Sequence, residues 1–160
     1  MVEPLSVALG AVIKEGKVLL VKRESNNFKN LYGFPGGKIE GEEHIRDALK
    51  REIEEETGFE TSLKRHLGTV SEKIENPESH SPVLLHFFEM KIERKSSESE
   101  METSWFELET ISQNENSIIP SGSQMIQEIV KNGKRGYFES NIVKKSKKAY
   151  LDRFDKIGKN

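Results

Sequence analysis

The chain has 160 residues, 34% of them hydrophobic and 32% charged, with a formal net charge of −2 and no cysteine. At the usual ~100–200 residues per domain this excludes two independently folding domains, and the missing cysteines exclude disulfides, thiolate zinc sites, haem attachment and a Cys nucleophile. The longest apolar runs, such as Val18-Leu19-Leu20-Val21, fall far short of the roughly 20 residues of a membrane helix, and no basic stretch followed by an apolar one opens the chain. A cytoplasmic protein with no membrane partner is expected.

Charge is unevenly spread. Residues 1–130 hold 15 Lys and Arg against 24 Asp and Glu, a balance of −9, while residues 131–160 hold 10 against 3, a balance of +7. Such a basic run is more commonly a solvated face than a nucleic-acid footprint, so no nucleic-acid partner is expected.

In chain order, residues 6–13 and 17–22 alternate like strands around Glu15-Gly16, a hairpin signal. A polar loop around Ser25-Asn26-Asn27 leads to Phe34-Pro35-Gly36-Gly37, where Pro and paired glycines argue for an irregular loop that lets a ligand approach the backbone. Residues 43–57 lack Gly and Pro and are rich in helix formers, with Gly58 placed as a helix C-terminal glycine. Strands are predicted at 66–74, 83–93 and near 104–108, with Lys95–Glu102 as a polar hairpin connection between the last two. A loop rich in Ser and Asn follows, then a helix after Pro120. Beyond it Tyr137-Phe138, Ile142-Val143, Tyr150-Leu151 and Phe154 alternate with lysines, the pattern of a segment that docks on a domain and holds its charges outward. The expected domain is therefore 1–132, with 133–160 a docked basic extension, and the fold class is α+β.

On the predicted helix, at about 100° per residue with Glu52 at 0°, Ile45 falls near 20°, Ala48 near −40°, Leu49 near 60°, Glu55 near −60° and Glu56 near 40°. The apolar stripe and three carboxylates share one face. A solvated acidic helix keeps its charges opposite the stripe, where Asp47, Lys50 and Glu54 lie. Three carboxylates at i, i+3 and i+4 repel one another and need compensation. Two sources are available: pairing with Arg46, Lys50 and Arg51, or a bound divalent cation. An all-oxygen donor set suits Mg²⁺, with Mn²⁺ as a substitute, rather than zinc.

Gly37 to Phe59 reads G-K-I-E-G-E-E-H-I-R-D-A-L-K-R-E-I-E-E-E-T-G-F and resembles the Nudix box, G-x5-E-x7-R-E-U-x-E-E-x-G-U with U apolar, at every specified position. A chance match is on the order of one in a billion per start site at ordinary residue usage. Phe34-Pro35-Gly36-Gly37-Lys38 before it is similar to MutT-like members, and the likeness spans about residues 4–131. It implies an α/β/α sandwich with a mixed sheet, and metal-assisted hydrolysis of a nucleoside diphosphate linked to a further group X.

Carried over by motif position, the resemblance makes Glu55 and Glu56 the principal metal ligands, the Gly36 carbonyl a further oxygen, and Glu52 the residue that orients or deprotonates water, with or without touching the metal. Arg51 joins this catalytic set by holding the glutamates. Glu43 is a candidate for a further metal, although ideal helix counting puts it near 180° from Glu52. Some members draw a ligand or base from a glutamate ahead of a late Trp. Here Glu98, Glu100 and Glu102 precede Trp105, and Glu102 is favoured. Arg23 and Lys38 are candidates for phosphate oxygens, Arg23 equally for a surface charge at a strand end, and Phe34 is a candidate for stacking on a base or for the core. Histidines 44, 66, 80 and 86 have no metal-ligand spacing.

The implied partner is a small nucleotide substrate. A MutT-like nucleoside triphosphate pyrophosphohydrolase, releasing a monophosphate and pyrophosphate, leads. The proline that marks ADP-ribose hydrolases about fifteen residues beyond the box is matched poorly by Pro77, eighteen beyond Phe59. An ADP-ribose or nucleotide-sugar pyrophosphatase is the alternative within the class, and a non-catalytic nucleotide- or RNA-binding module the alternative outside it. The sequence leaves the oligomeric state open, a homodimer included.

Overall fold

The structure is a computed structural model that describes residues 4–24, 28–75, 82–146 and 148–158. The loop at 25–27, Pro77 and His80 lie outside the described residues. Strands β1 (Leu5–Lys14) and β2 (Lys17–Lys22) form the expected antiparallel hairpin, with Glu15 and Gly16 both at positive φ in its turn. Then follow β3 (Tyr32–Gly33), β4 (Gly36–Lys38), helix α1 (Ile45–Thr57), β5 (Phe59–Glu75), β6 (Val83–Lys95) and β7 (Thr103–Glu107). A 3-10 turn at Ile111–Ser117, helix α2 (Pro120–Met125) continued by a π-helical turn at Ile126–Lys131, and strands β8 (Gly136–Lys145) and β9 (Lys148–Ile157) complete the chain.

The strands join in one mixed sheet in the order β3-β2-β1-β6-β5-β8-β9, with β4 paired to β1 and β7 to β2. β1–β6 and β5–β8 run parallel, the other pairs antiparallel. Period-two alternation sends side chains to two cores. Ala8, Val12, Leu19 and Met90 face Leu49 and Ile53 of α1. Leu9, Ala11, Val18, Leu20 and Phe87 face Met125, Ile126 and Ile129 on the opposite side. The sheet is thus covered by helical segments on both faces, as an α+β sandwich.

Four expectations need correction. Gly36–Lys38 is a short strand, because its backbone pairs with Val7, Ala8 and Leu9 of β1. β5 begins directly at Phe59, its early residues held by β6 through pairs such as Thr61↔Ile92. The Ser- and Asn-rich stretch coils into a 3-10 turn whose Ile111 is fully buried. Lys95–Glu102 is not a hairpin connection, since β6 pairs with β1 and β5 while β7 pairs with β2. That segment instead crosses the end of α1. The N–H groups of Ser96 and Ser97 donate to the Gly58 carbonyl, Glu100 N–H to the Glu55 carbonyl and Met101 N–H to the Glu56 carbonyl, satisfying acceptors that a helix C-terminus leaves open.

The residues after Gly133 form the β8–β9 hairpin, and β8 lies parallel along β5 from Gly68↔Gly136 to Glu75↔Val143. Phe138 and Ile142 are fully buried, and Phe138 stacks on Phe154 of β9 with ring centroids 5.6 Å apart.

Candidate active site

α1 is anchored by the stripe read from the sequence, with Ala48, Leu49, Ile53 and Thr57 buried. It stops at Gly58, which takes the left-handed conformation at φ 80°. Packing of Leu49 and Ile53 on the sheet turns Glu52 and Glu56 toward β4. Gly36 has φ 146°, and a Cβ there would stand 2.0 Å from the Ala8 carbonyl oxygen, so only glycine allows β4 to lie this close to β1. The Gly36 N–H donates to Glu56 Oε1 at 2.9 Å. A Cβ on Gly37 would stand 2.8 Å from Glu52 Cδ, so the carboxylate of Glu52 occupies the space glycine leaves.

Arg51 holds the acids in place. Its Nε and Nη2 donate to the two oxygens of Glu43 at 3.0 and 2.8 Å, and its Nη1 donates to Glu52 Oε1 at 3.0 Å. The same Nη1 lies 3.6 Å from Glu55 Oε1. These charge-assisted bonds hold the Glu43 carboxyl below the usual range. The helical angle drawn for Glu43 does not apply, because α1 starts at Ile45 and Glu43 precedes it. Arg51 thus ties Glu43, Glu52 and Glu55 together.

Glu56 packs against β4 beside the other acids of α1. Burial pushes its carboxyl up to about 7, with the charges of Glu52 and Glu55 adding to the rise and the Gly36 N–H and Arg23 opposing it. A half-buried carboxylate beside two others, with one arginine in its field, has the donor chemistry that a hard cation completes. The donors do not form a closed shell: among the described residues no three acidic or histidine side chains converge as a metal cage. Glu55 is half-exposed, and Arg51 engages both it and Glu52.

The remaining residues read from the sequence divide. Arg23 is half-buried, acts on Glu56 and lines a cavity of about 510 Å³ beside α2. Phe34 belongs to the core, packed on Phe87 at 4.6 Å between centroids, and one side of it forms that cavity's wall. Lys38 is exposed. Glu102 is not brought into the carboxylate cluster: it accepts from the Tyr32 hydroxyl at 2.7 Å and lies 3.5 Å from Lys22 Nζ, because β7 is paired on β2. Sequence reasoning missed Glu72 and Ser121, buried polar groups that line the same cavity, and Ser140, buried against Glu72. The alternation Val70, Glu72, Ile74 along a strand was the available signal for the first of them.

Gly37→Ala should keep its fold, since only the flexible tip of Glu52 must move, yet lower kcat by about tenfold or more through that displacement. Steady-state kinetics with a melting curve checks this; unchanged kcat would show that Glu52 need not lie against Gly37.

The chain is thus an α+β sandwich with helical segments on both faces of its sheet and acids of α1 lying against the glycine strand β4. The model of the NUDIX domain matches residues 4–128, and the chain belongs to the Nudix family. It is 41% identical over 71 residues to the ADP-ribose pyrophosphatase of Methanocaldococcus jannaschii, covering 44% of this chain and 42% of that protein. It is 33% identical over 66 residues to the CTP pyrophosphohydrolase of Escherichia coli (41% and 49%), and 36% identical over 55 residues to the 8-oxo-dGTP diphosphatase of Buchnera aphidicola (34% and 42%). The matches span less than half the length of these curated relatives. The MutT protein from Methanosarcina mazei shares the fold with a TM-score of 0.66 and 22% identity, over 84% of this chain and 99% of that one. A Nudix hydrolase from Nitrosomonas europaea does so with a TM-score of 0.68 and 22% identity, over 84% and 93%. No helix among the described residues is long and apolar enough to cross a membrane.

Proposed function

We propose that the protein hydrolyses the pyrophosphate linkage of a nucleoside diphosphate derivative, with a nucleoside triphosphate as the leading substrate, using Mg²⁺ or, in its place, Mn²⁺. The observation that carries this reading is the placement of the α1 acids, with Glu56 accepting from the Gly36 N–H, the Glu52 carboxylate lying against Gly37, and Arg51 reaching Glu52 and Glu55. Glu55 and Glu56, with the Gly36 carbonyl, would hold the cation, and Glu43 would be the candidate for a further one. The bound cation supplies charge neutralisation on the diphosphate and acidifies water. Glu52 takes the proton from the attacking water, a role open to it because Arg51 fixes its orientation at one oxygen only. Arg23, beside Glu56, meets phosphate oxygens, and exposed Lys38 is a second cation for them. Glu102 enters the site only by leaving Tyr32 and Lys22. The catalytic unit is 1–132, and 133–160 is an extension of its sheet; the end of the family match at residue 128 supports that boundary.

The relatives' names include both triphosphate and ADP-ribose hydrolases, so the X group is decided by a phosphate-release screen with Mg²⁺ over nucleoside triphosphates, ADP-ribose, nucleotide sugars and dinucleoside polyphosphates. No turnover of any compound would favour a non-catalytic nucleotide-binding module. Within a positive screen, Glu52→Gln should lose about a hundredfold or more in kcat while Mg²⁺ affinity, read by calorimetry, stays within about threefold. A parallel loss of affinity would make Glu52 a ligand.

A further inference from the structure

β9 ends the sheet and pairs with β8 alone, so its far edge carries backbone N–H and C=O groups that no strand among the described residues takes up. Its register against β8 passes from Asn141↔Arg153 to Ile142↔Leu151, which leaves Asp152 as an extra residue, a bulge. The bulge reverses the alternation at the middle of the strand. Ala149, Leu151, Phe154 and Lys156 are half-buried, while Lys148, Tyr150, Asp152, Arg153, Asp155 and Ile157 are exposed. This order of burial reads the same in both directions. A regular strand of ten residues cannot do this, because period two sends its first and last side chains to opposite faces. With its bulge, β9 can lie antiparallel to a copy of itself along its whole length with every residue facing one of its own burial class.

We propose that β9 pairs with β9 of a second copy of this chain about a two-fold axis, joining two sheets into one. Lys148 of one copy stands opposite Ile157 of the other, Tyr150 opposite Asp155, Leu151 opposite Phe154, and Asp152 opposite Arg153. Each contact occurs twice, so two Asp–Arg pairs flank the axis. Asp152 has no hydrogen-bond or ion-pair partner among the described residues of its own chain, whereas Arg153 reaches Glu139 and Asp155. Charges on an edge blunt it toward foreign strands, but opposite a second copy of this strand they are matched. A shift of two residues, the smallest that keeps the faces together, shortens the ladder to Tyr150–Ile157 or Lys148–Asp155. The first sets Asp152 opposite Asp155 and the second sets it opposite Leu151, so the full-length register is favoured. It also covers part of Tyr150 and Ile157, which are 48% and 41% exposed. β6, β5 and β8 separate β9 from β1, on which β4 and the α1 acids lie, so the inference does not depend on the hydrolase reading.

The test is sedimentation equilibrium of the full chain over a concentration series, in which the wild type should pass from one to two chain masses. Asp152→Arg and Arg153→Asp each set like charges opposite one another twice across the axis, and each should weaken dimerisation by at least about tenfold. An equimolar mixture of the two variants sets Arg opposite Asp at both positions again, and should associate within about threefold of wild type. A wild type that stays monomeric at every concentration overturns the proposal. So do single variants that associate as tightly as wild type, which would put the interface elsewhere, and a mixture that does no better than its components. Should either variant fail to fold, amide hydrogen exchange of the wild type decides. The N–H groups of Lys148–Ile157 that point away from β8 should exchange more slowly as concentration rises, and exchange there that is independent of concentration overturns the assignment.

Discussion

Glu56→Gln should cut turnover by at least about a hundredfold and weaken Mg²⁺ binding, yet leave the metal-free protein more stable than wild type at pH 8. The two halves of this result have one cause. Burial raises the Glu56 carboxyl to about 7 against an ordinary value near 4.5. Between those values the folded chain binds more protons than the unfolded one, so stability present at low pH is lost as pH rises toward 7 and is wholly lost above it. The loss is at most about 3 kcal/mol for a shift of this size. Glutamine keeps the Gly36 N–H bond through its carbonyl oxygen and carries no charge, so it removes the penalty along with the ligand. The metal-free wild type should therefore lose melting temperature relative to Glu56→Gln as pH rises from 5.5 to 8, and saturating Mg²⁺ should restore that loss. Buried Glu72 shifts in the same direction and His86, held down by burial, in the opposite one, so the readout is the difference between the wild-type and Glu56→Gln melting curves across pH. Parallel curves, or near-wild-type turnover in both Glu56→Gln and Glu55→Gln, would sink the metal assignment.

Local information explains why α1 and its acids were legible in the sequence. Helix formers over 43–57, a terminal glycine and the 100° arithmetic are properties of consecutive residues, and the structure keeps Leu49 and Ile53 buried with Glu52 and Glu56 on the sheet side. The β1–β2 hairpin was legible for the same reason. What failed was long-range. Gly36–Lys38 reads as loop until β1 is there to pair with it, and the strand character of Phe59–Leu63 follows from β6 rather than from its own alternation. The 95–102 segment looks like a hairpin because only the sheet order shows that β7 belongs beside β2. Glu43 shows the limit of ideal geometry: a helix that starts two residues later than its composition allows leaves the acid free to fold back on Arg51. Glu72 is one of 27 acids in composition, and only its alternation with Val70 and Ile74 along the strand marks an inward face.

Truncation after Gly133 should give a chain that fails to fold stably at 25 °C. The segment removed holds Phe138 and Ile142, both fully buried, and Phe154, packed on the same core. Loss of a buried Phe alone costs about 3–5 kcal/mol and a buried Ile about 2–5 kcal/mol, against a whole stability of about 5–15 kcal/mol for a domain. The truncation also strips β5 of its parallel partner from Gly68 to Glu75 and leaves Glu72 without Ser140, exposing a long edge open to pairing with other chains. Electrostatic attraction between the −9 and +7 parts of the chain contributes little by comparison, since exposed charges are screened beyond about 8 Å at physiological salt. High salt should therefore leave the intact chain folded, while truncation gives aggregation or a broad, low-temperature transition in calorimetry. A truncated protein that kept its melting temperature and lost affinity for RNA would reverse this assignment: the hairpin would then be a polyanion-binding appendage, and the core facing β8 would have to close without Phe138.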